Sequence, residues 1–200
     1  MEKYITQHKR RLSYMPWLYY SLKEKHLLWA KPWQESIQTE LMSLETVKIG
    51  KNCFIAPTAN IFAEPGRDIV IGNNVTIAAE TFLHGPIIIE DGVSINASVV
   101  IDGGAKGVVI KKNSRIANGC KIYAFNHGML PEKNIKDQAV TSQGITIGDD
   151  VWLGANVCVV DGITIGDHVV VGMGSIVTKN IPEWQIFAGN PAKKIGQRKI

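Results

Sequence analysis

No run in this chain approaches the roughly 18 consecutive apolar residues that a membrane-spanning helix requires. The first eleven residues, Met1 to Arg11, are polar and basic, so no apolar secretion signal opens the sequence and a cytoplasmic location is expected. Cysteine is scarce: Cys53, Cys120 and Cys158 are odd in number, far apart and free of CxxC spacing. That excludes a disulfide framework and a zinc site of the usual pattern, and leaves small apolar packing as their role. An excess of one charge is also missing, since 22 Lys and Arg face 18 Asp and Glu for a net charge of +4. The basic residues are not interleaved with aromatics as a stacking platform, so nucleic acid is not an expected partner. At 45% hydrophobic and 20% charged, the chain carries enough apolar mass to bury a core.

What is abundant is an aliphatic residue every sixth position. Ile49, Ile55 and Ile61 begin it, followed by Ile71, Ile77, Leu83, then Ile89, Ile95, Ile101, then Ile110, Ile116, Ile122, and finally Ile147, Leu153, Val159, Ile165, Val171 and Val177. Every position is Ile, Leu or Val, although these types make up only about a quarter of the chain. Four residues after most of them comes a small or β-branched residue: Cys53, Ala59, Val75, Thr81, Val93, Val99, Ala105, Ser114, Cys120, Val151, Val157, Val169 and Ser175. Between these inward positions lie Gly, Asn and Asp, which tolerate tight turns and left-handed backbone angles. A period of six fits neither a 3.6-residue helix nor the alternation of a hairpin sheet. Three short strands and three turns make a triangular coil of eighteen residues, and the spacing predicts six stacked parallel coils from near Val47 to near Pro182.

The rhythm breaks in three places, near Glu64 to Arg67, near Gly103 to Gly107, and after Ile122. An insertion must leave the coil at a corner, and the large one, residues 125–146, predicts a protruding loop with Phe125-Asn126-His127-Gly128 at its start. Counting in register puts Asn126 in an inward slot and His127 outward near a corner. Residues 1–46 lack the repeat. Leu12, Trp17, Leu18, Leu22, Leu27, Leu28 and Trp29 have roughly helical spacing, Pro16 and Pro32 mark breaks, and Ser36 to Leu44 suits another short helix. This segment is expected to cap the open first coil, with peripheral membrane contact through its tryptophans and basic residues as the competing role. Residues 183–200 form a basic C-terminal tail.

The stretches Ile147-Gly148-Asp149-Asp150-Val151-Trp152-Leu153-Gly154-Ala155-Asn156-Val157, Gly172-Met173-Gly174-Ser175-Ile176-Val177-Thr178-Lys179 and Ala188-Gly189-Asn190-Pro191-Ala192-Lys193 resemble the hexapeptide-repeat acetyltransferases. They look most like the galactoside, maltose, nodulation-factor and polysaccharide O-acetyltransferases. The resemblance implies a left-handed winding, acetyl-CoA as acetyl donor without a metal, and a homotrimer with sites between neighbours. It implies His127 as general base, the Ala155 N–H as oxyanion donor and Trp152 as a wall of the site. The acetyl-CoA arm is implied to pass Gly154, Met173, Thr178, Lys179 and Lys193. Met173 stands where the family often has Ala, and Arg198 takes the place of an arginine expected near position 196.

Independently of the family, acyl transfer to an alcohol needs a base for the hydroxyl proton and a donor for the oxyanion. Of the five histidines, His8 and His26 fall in the leader and His84 and His168 within coils, so His127 on the loop is the outlier suited to the first task. Asn96 and Asp102, counted about one coil before His127, are expected beneath it on the acceptor side with Asn126 and Trp152. Cys120, in an inward slot, argues against a covalent acyl-enzyme and for direct attack in a ternary complex. Lys179, Lys193, Lys194, Arg198 and Lys199 suit the phosphates of CoA. The expected activity is O-acetylation of a saccharide or polysaccharide. The alternatives are N-acetylation of a nucleotide-linked amino sugar, O-acetylation of an antibiotic, a zinc carbonic anhydrase and a non-catalytic scaffold.

Overall fold

The computed structural model describes residues 2–198. It is a left-handed parallel β-helix of six coils, mostly β, preceded by helices. Face A stacks strands Val47–Ile49, Ile69–Ile71, Ile87–Ile89, Val108–Ile110, Ile145–Ile147 and Thr164–Ile165. Face B stacks Phe54–Ile55, Thr76–Ile77, Ser94–Ile95, Arg115–Ile116, Trp152–Leu153 and Val170–Val171. Face C stacks Asn60–Phe62, Phe82–His84, Val100–Asp102, Lys121–Tyr123, Cys158–Val159 and Ile176–Val177. All of these neighbours run parallel, and the sixth-position aliphatics pair with one another from coil to coil, as in Ile55 with Ile77 and Leu153 with Val171.

Those aliphatics form the core. All are buried except Ile49, which is half-buried at the open first coil. Each fully buried Ile or Leu contributes roughly 1.5–3 kcal/mol of transfer free energy, so the column down the axis is the main favourable term. The second inward position is as expected at Cys53, Val75, Thr81, Val93, Val99, Ser114, Cys120, Val151, Val157, Val169 and Ser175, all buried, whereas Ala105 is exposed because the chain bulges there out of the coil. The turns use left-handed backbone: Asn52, Asn74, Asn113 and Asn156 take φ of 55°, 56°, 59° and 58°. Asn52 also donates from Nδ2 to Asn74 Oδ1 in the next coil at 2.7 Å, so turn residues stack as the strands do.

The leader forms α1 (Glu2–Tyr14), a 3₁₀ turn (Pro16–Ser21) and α2 (Glu24–Met42). Two expectations are corrected here. Pro32 does not break the chain, and Ser36 to Leu44 is not a separate helix, because α2 runs continuously through both. The carbonyl that loses its partner to Pro32 belongs to Leu28, four residues back and 80% exposed, where water can satisfy it. Leu28 therefore faces solvent, and the inner side of α2 is instead Ala30, Trp33, Gln34, Ile37, Gln38 and Leu41. Two of those are polar for a reason. Gln34 accepts from Ile55 N at 2.8 Å and donates to Ile55 O at 3.0 Å, and Gln38 donates to Cys53 O at 2.8 Å. The side-chain amides thus supply the partners that the edge of the first face B strand lacks. Phe54, outward on the same strand, is fully buried under Leu12, Tyr19, Trp29 and Trp33. At the other end, Gln185–Ala188 extends face B beside Val170–Val171 and pairs antiparallel with Lys193–Gln197, so residues 185–197 are a hairpin over the last coil.

Replacing Gln34 with Ala leaves the buried Ile55 N–H without a partner and is expected to cost about 1–3 kcal/mol, read as a lower urea midpoint at unchanged m-value. An unchanged midpoint would show that the first coil does not depend on this cap.

Candidate active site

Coil register assigns every candidate residue to a corner. Corners between faces C and A hold all three breaks in the repeat: residues 63–68, 103–107 and 124–144. The expected inward slot at Asn126 is corrected. Ala124 is the last fully buried residue, and Asn126 and His127 are exposed in a short strand that pairs antiparallel with Val140–Thr141. The chain leaves the coil two residues earlier than the six-residue count implied, and the loop is a structured arm. Its root is clamped: Ser142 Oγ donates to Ala124 O at 2.5 Å and accepts from Ala105 N and Lys106 N, while Asp161 takes the N–H groups of Gln143 and Gly144 at 2.9 Å. Its body is knit by Gln138, whose Oε1 accepts from Leu130 N and whose Nε2 donates to the carbonyls of Leu130 and Lys133.

Beneath the arm lies a cleft of about 470 Å³ lined by Arg67, His84, Asp102, Phe125, Val140 and Ser142. Asp102 is under the arm as expected, its Oδ2 3.1 Å from His84 Nδ1 and its Oδ1 accepting from Gly104 N. The other ring nitrogen of His84 is 3.1 Å from Glu64, and Arg67 ties Glu64 to the carbonyls of Gly85 and Gly104. Glu64 is held below the ordinary carboxylate range, first by its own backbone N–H and then by His84. His84, Glu64, Arg67 and Phe125 were not among the expected site residues. The signal for them was the coincidence of the three breaks at one corner. His127 sits beside this cleft, its ring edge-on to Phe125 at 6.0 Å between centroids, and makes no side-chain hydrogen bond among the described residues.

A second group lies at corners between faces B and C. Gly154 and Ala155 turn that corner in the fifth coil, Met173 does so in the sixth, and Lys193 pairs with Ala188 in the hairpin alongside. Gly154 has a packing cause: a Cβ there would come within 2.6 Å of Met173 N. Met173 is 74% exposed. The N–H of Ala155 has no acceptor among the described residues, and neither do those of its counterparts Ala97 and Asn118. Only Ala79, lower in the column, is matched, to Ser13 O at the end of α1. The fold therefore presents unclaimed N–H groups along this corner. Asn96 belongs here and not beneath His127, a correction: Ile95 pairs with Ile116 and that with Leu153, so Asn96 stands two coils below Gly154. Asn96 and Asp102 are six residues apart in an unbroken stretch, which is one face of the coil, so the two cannot share a corner. Trp152, 54% exposed on face B, borders the same corner.

The remaining expectations separate. Thr178 and Lys179 are exposed across face C, where the last coil turns toward face A. Arg198 does not join the Gly154 group. Its Nη1 bonds Asp150 Oδ2 at 3.0 Å and His168 O at 3.2 Å, and its guanidinium lies over Trp184, itself stacked on His168, at the corner between faces A and B. Cys120 is fully buried, with its thiol pushed up to about 11 by burial, so it is no nucleophile near neutrality.

Asp150 is held below the ordinary carboxylate range by the hydrogen bond from His168 and by the bond and charge of Arg198. Its folded value being depressed, the stability it contributes is full above the unfolded value near ~4 and is lost as pH falls through the lower folded value. Amide protection over residues 193–197, measured by hydrogen exchange, is expected to drop on acidification below about pH 4. In Asp150→Asn it is expected to start low and lack that drop, and an identical pH response in both proteins would refute the latch.

The hexapeptide repeat model of succinyl-transferases matches residues 86–124 and 144–179. A Saccharomyces cerevisiae protein named by inference as an acetyltransferase, YJL218W, is 40% identical over 143 residues, covering 72% of this chain and 65% of its own. The galactoside O-acetyltransferase of Escherichia coli is 32% identical over 145 residues, covering 72% of this chain and 64% of its own. The chain thus spans slightly under two thirds of either curated relative. A variant of AntD, an N-acyltransferase from Bacillus cereus solved with dTDP and coenzyme A, superposes with a TM-score of 0.71 at 30% identity, covering 82% of this chain and 89% of AntD. No helix among the described residues is long and apolar enough to cross a membrane. With its repeat matched over residues 86–124 and 144–179 and 82% of its length superposed on AntD at 30% identity, the chain belongs to the hexapeptide-repeat acetyltransferase family.

Proposed function

We propose that this protein transfers acetyl from acetyl-CoA to a hydroxyl of a saccharide or polysaccharide, working as a homotrimer. The observation that carries this reading is the separation of two half-sites: an unpartnered His127 where face C turns to A, and an unclaimed Ala155 N–H where face B turns to C. The width of face C divides them within one chain, so they meet across a subunit boundary. A cyclic threefold assembly brings the arm of each chain to the next chain's Ala155 corner and closes three equal sites. Exposed Met129, Leu130, Ile135 and Val140 on the arm supply apolar surface for that contact.

In the proposed reaction His127 takes the proton of the acceptor hydroxyl as its oxygen attacks the thioester carbonyl. The tetrahedral oxyanion accepts the neighbour's Ala155 N–H, and collapse expels the CoA thiolate, which takes the proton back from the imidazolium. Trp152, Asn126 and Asp102 contact the acceptor, and Gly154, Met173, Thr178, Lys179 and Lys193 border the pantetheine and phosphates. The likeness to AntD, solved with dTDP, favours a second reading: N-acetylation of a nucleotide-linked amino sugar.

Replacing His127 with Ala is expected to lower kcat by about 10²–10⁴-fold with the KM for acetyl-CoA unchanged, measured as thiol release against a saccharide panel and a nucleotide-linked amino sugar. Co-expressing His127→Ala with Ala155→Pro, each inactive alone, is expected to restore about a quarter of wild-type activity through mixed trimers. No recovery in trimers verified as mixed would place both groups within one chain's own site.

A further inference from the structure

Trp17 is not part of the packing that holds the leader down. Its neighbours in the 3₁₀ turn do that work: Pro16 and Tyr19 are buried, Tyr19 lies 5.4 Å from Phe54 between ring centroids, and Tyr20 Oη donates to Asn52 O at 2.9 Å. Trp17 itself is 46% exposed on this rigid mount, and it borders a cleft of about 340 Å³ on face B with Ser94, Asn96, Arg115, Ala117 and Trp152. Arg115 and Ser94 are register partners on adjacent strands, as are Arg115 and Trp152.

The polar groups of this cleft are uncommitted. Arg115 is exposed and has neither an ion-pair nor a side-chain hydrogen-bond partner among the described residues. The Asn96 amide makes no hydrogen bond, and its Oδ1 is closed off from solvent without a partner. Ser94 Oγ accepts from Thr76 Oγ1 at 2.9 Å, which leaves its own proton to donate. Two indoles bracketing a guanidinium, an idle amide and a free hydroxyl form an amphipathic slot: apolar walls for a ring face, and donors for the ring's substituents.

We propose that this cleft is a second saccharide subsite, which holds a sugar ring of the acceptor adjacent to the one that is acetylated and selects a ring bearing an acidic group. The C–H face of the pyranose lies against Trp17 and Trp152, a ring hydroxyl accepts from Asn96 Nδ2, and a carboxylate takes Arg115 in paired hydrogen bonds. Its place beside the Gly154 and Ala155 corner rests on the saccharide reading above, and it makes the leader a wall of the binding site as well as a cap.

The test is a titration of intrinsic tryptophan fluorescence in the absence of acetyl-CoA, with a glucuronate-containing trisaccharide, neutral maltotriose and dTDP as probes. The acidic trisaccharide is expected to perturb the signal at least tenfold more tightly than maltotriose. Arg115→Gln is expected to abolish that preference, and Trp17→Leu to weaken both sugars, each variant being checked for an unchanged circular dichroism spectrum. Equal affinity for the two sugars, tighter binding of dTDP, or no response to any probe would overturn the proposal. Thiol release from acetyl-CoA is assayed separately, so a protein that binds the acidic sugar without transferring acetyl would count against the transferase reading alone.

Discussion

Register between stacked parallel strands is the constraint on which everything else in this molecule depends. Each sixth-position aliphatic sits on its counterpart in the next coil, and a slip of one residue would turn the whole set out of the core. Outward residues therefore stack in columns as strictly as inward ones do, and any extra residues are forced out at a corner. The three insertions all leave where face C turns to A, so Glu64, Arg67, His84, Asp102 and the arm bearing His127 are gathered from four coils into one cluster. The same register carries Asn96, Gly154, Ala155 and Met173 along a different corner. One chain thus carries His127 at one corner and Ala155 at another, with the width of face C between them.

A coil has two ends, and each exposes strand edges and core that must be covered. The leader meets the first end with side-chain amides, Gln34 and Gln38, and with an aromatic cluster over Phe54. The hairpin of residues 185–197 meets the second, pinned by Arg198 to Asp150 and His168. Both covers also reach past the ends they close. The leader's 3₁₀ turn brings Trp17 to the cleft that holds Trp152, and the hairpin carries Lys193 to the corner of Met173.

The coils were legible because burial of Ile, Leu and Val repeats at a spacing that no other architecture shares, and the turns because Asn and Gly tolerate left-handed backbone. The Gly154 group was named from the resemblance of its stretches, and His127 was singled out as the one histidine on the large insertion. Asn126 moved out of the core because the arm departs at Ala124, and Asn96 stands at another corner because it lies one face, six residues, before Asp102. In the leader, periodicity ranked Leu28 above Gln34, since hydropathy does not register an amide that pairs with a strand edge. Arg198 looked free as one of several basic residues near the C-terminus, and only the fold brings Asp150, His168 and Trp184 to it. His84 read as one coil residue among many until Glu64 and Asp102 were seen to flank it.

The most direct measurement is an experimental structure of the assembly with CoA and a saccharide acceptor bound. The account predicts a threefold assembly in which the acceptor hydroxyl lies about 3 Å from the His127 imidazole of one chain and the thioester position faces the Ala155 N–H of its neighbour. A pantetheine arm that ends away from His127, or a complete site formed within a single chain, would contradict it.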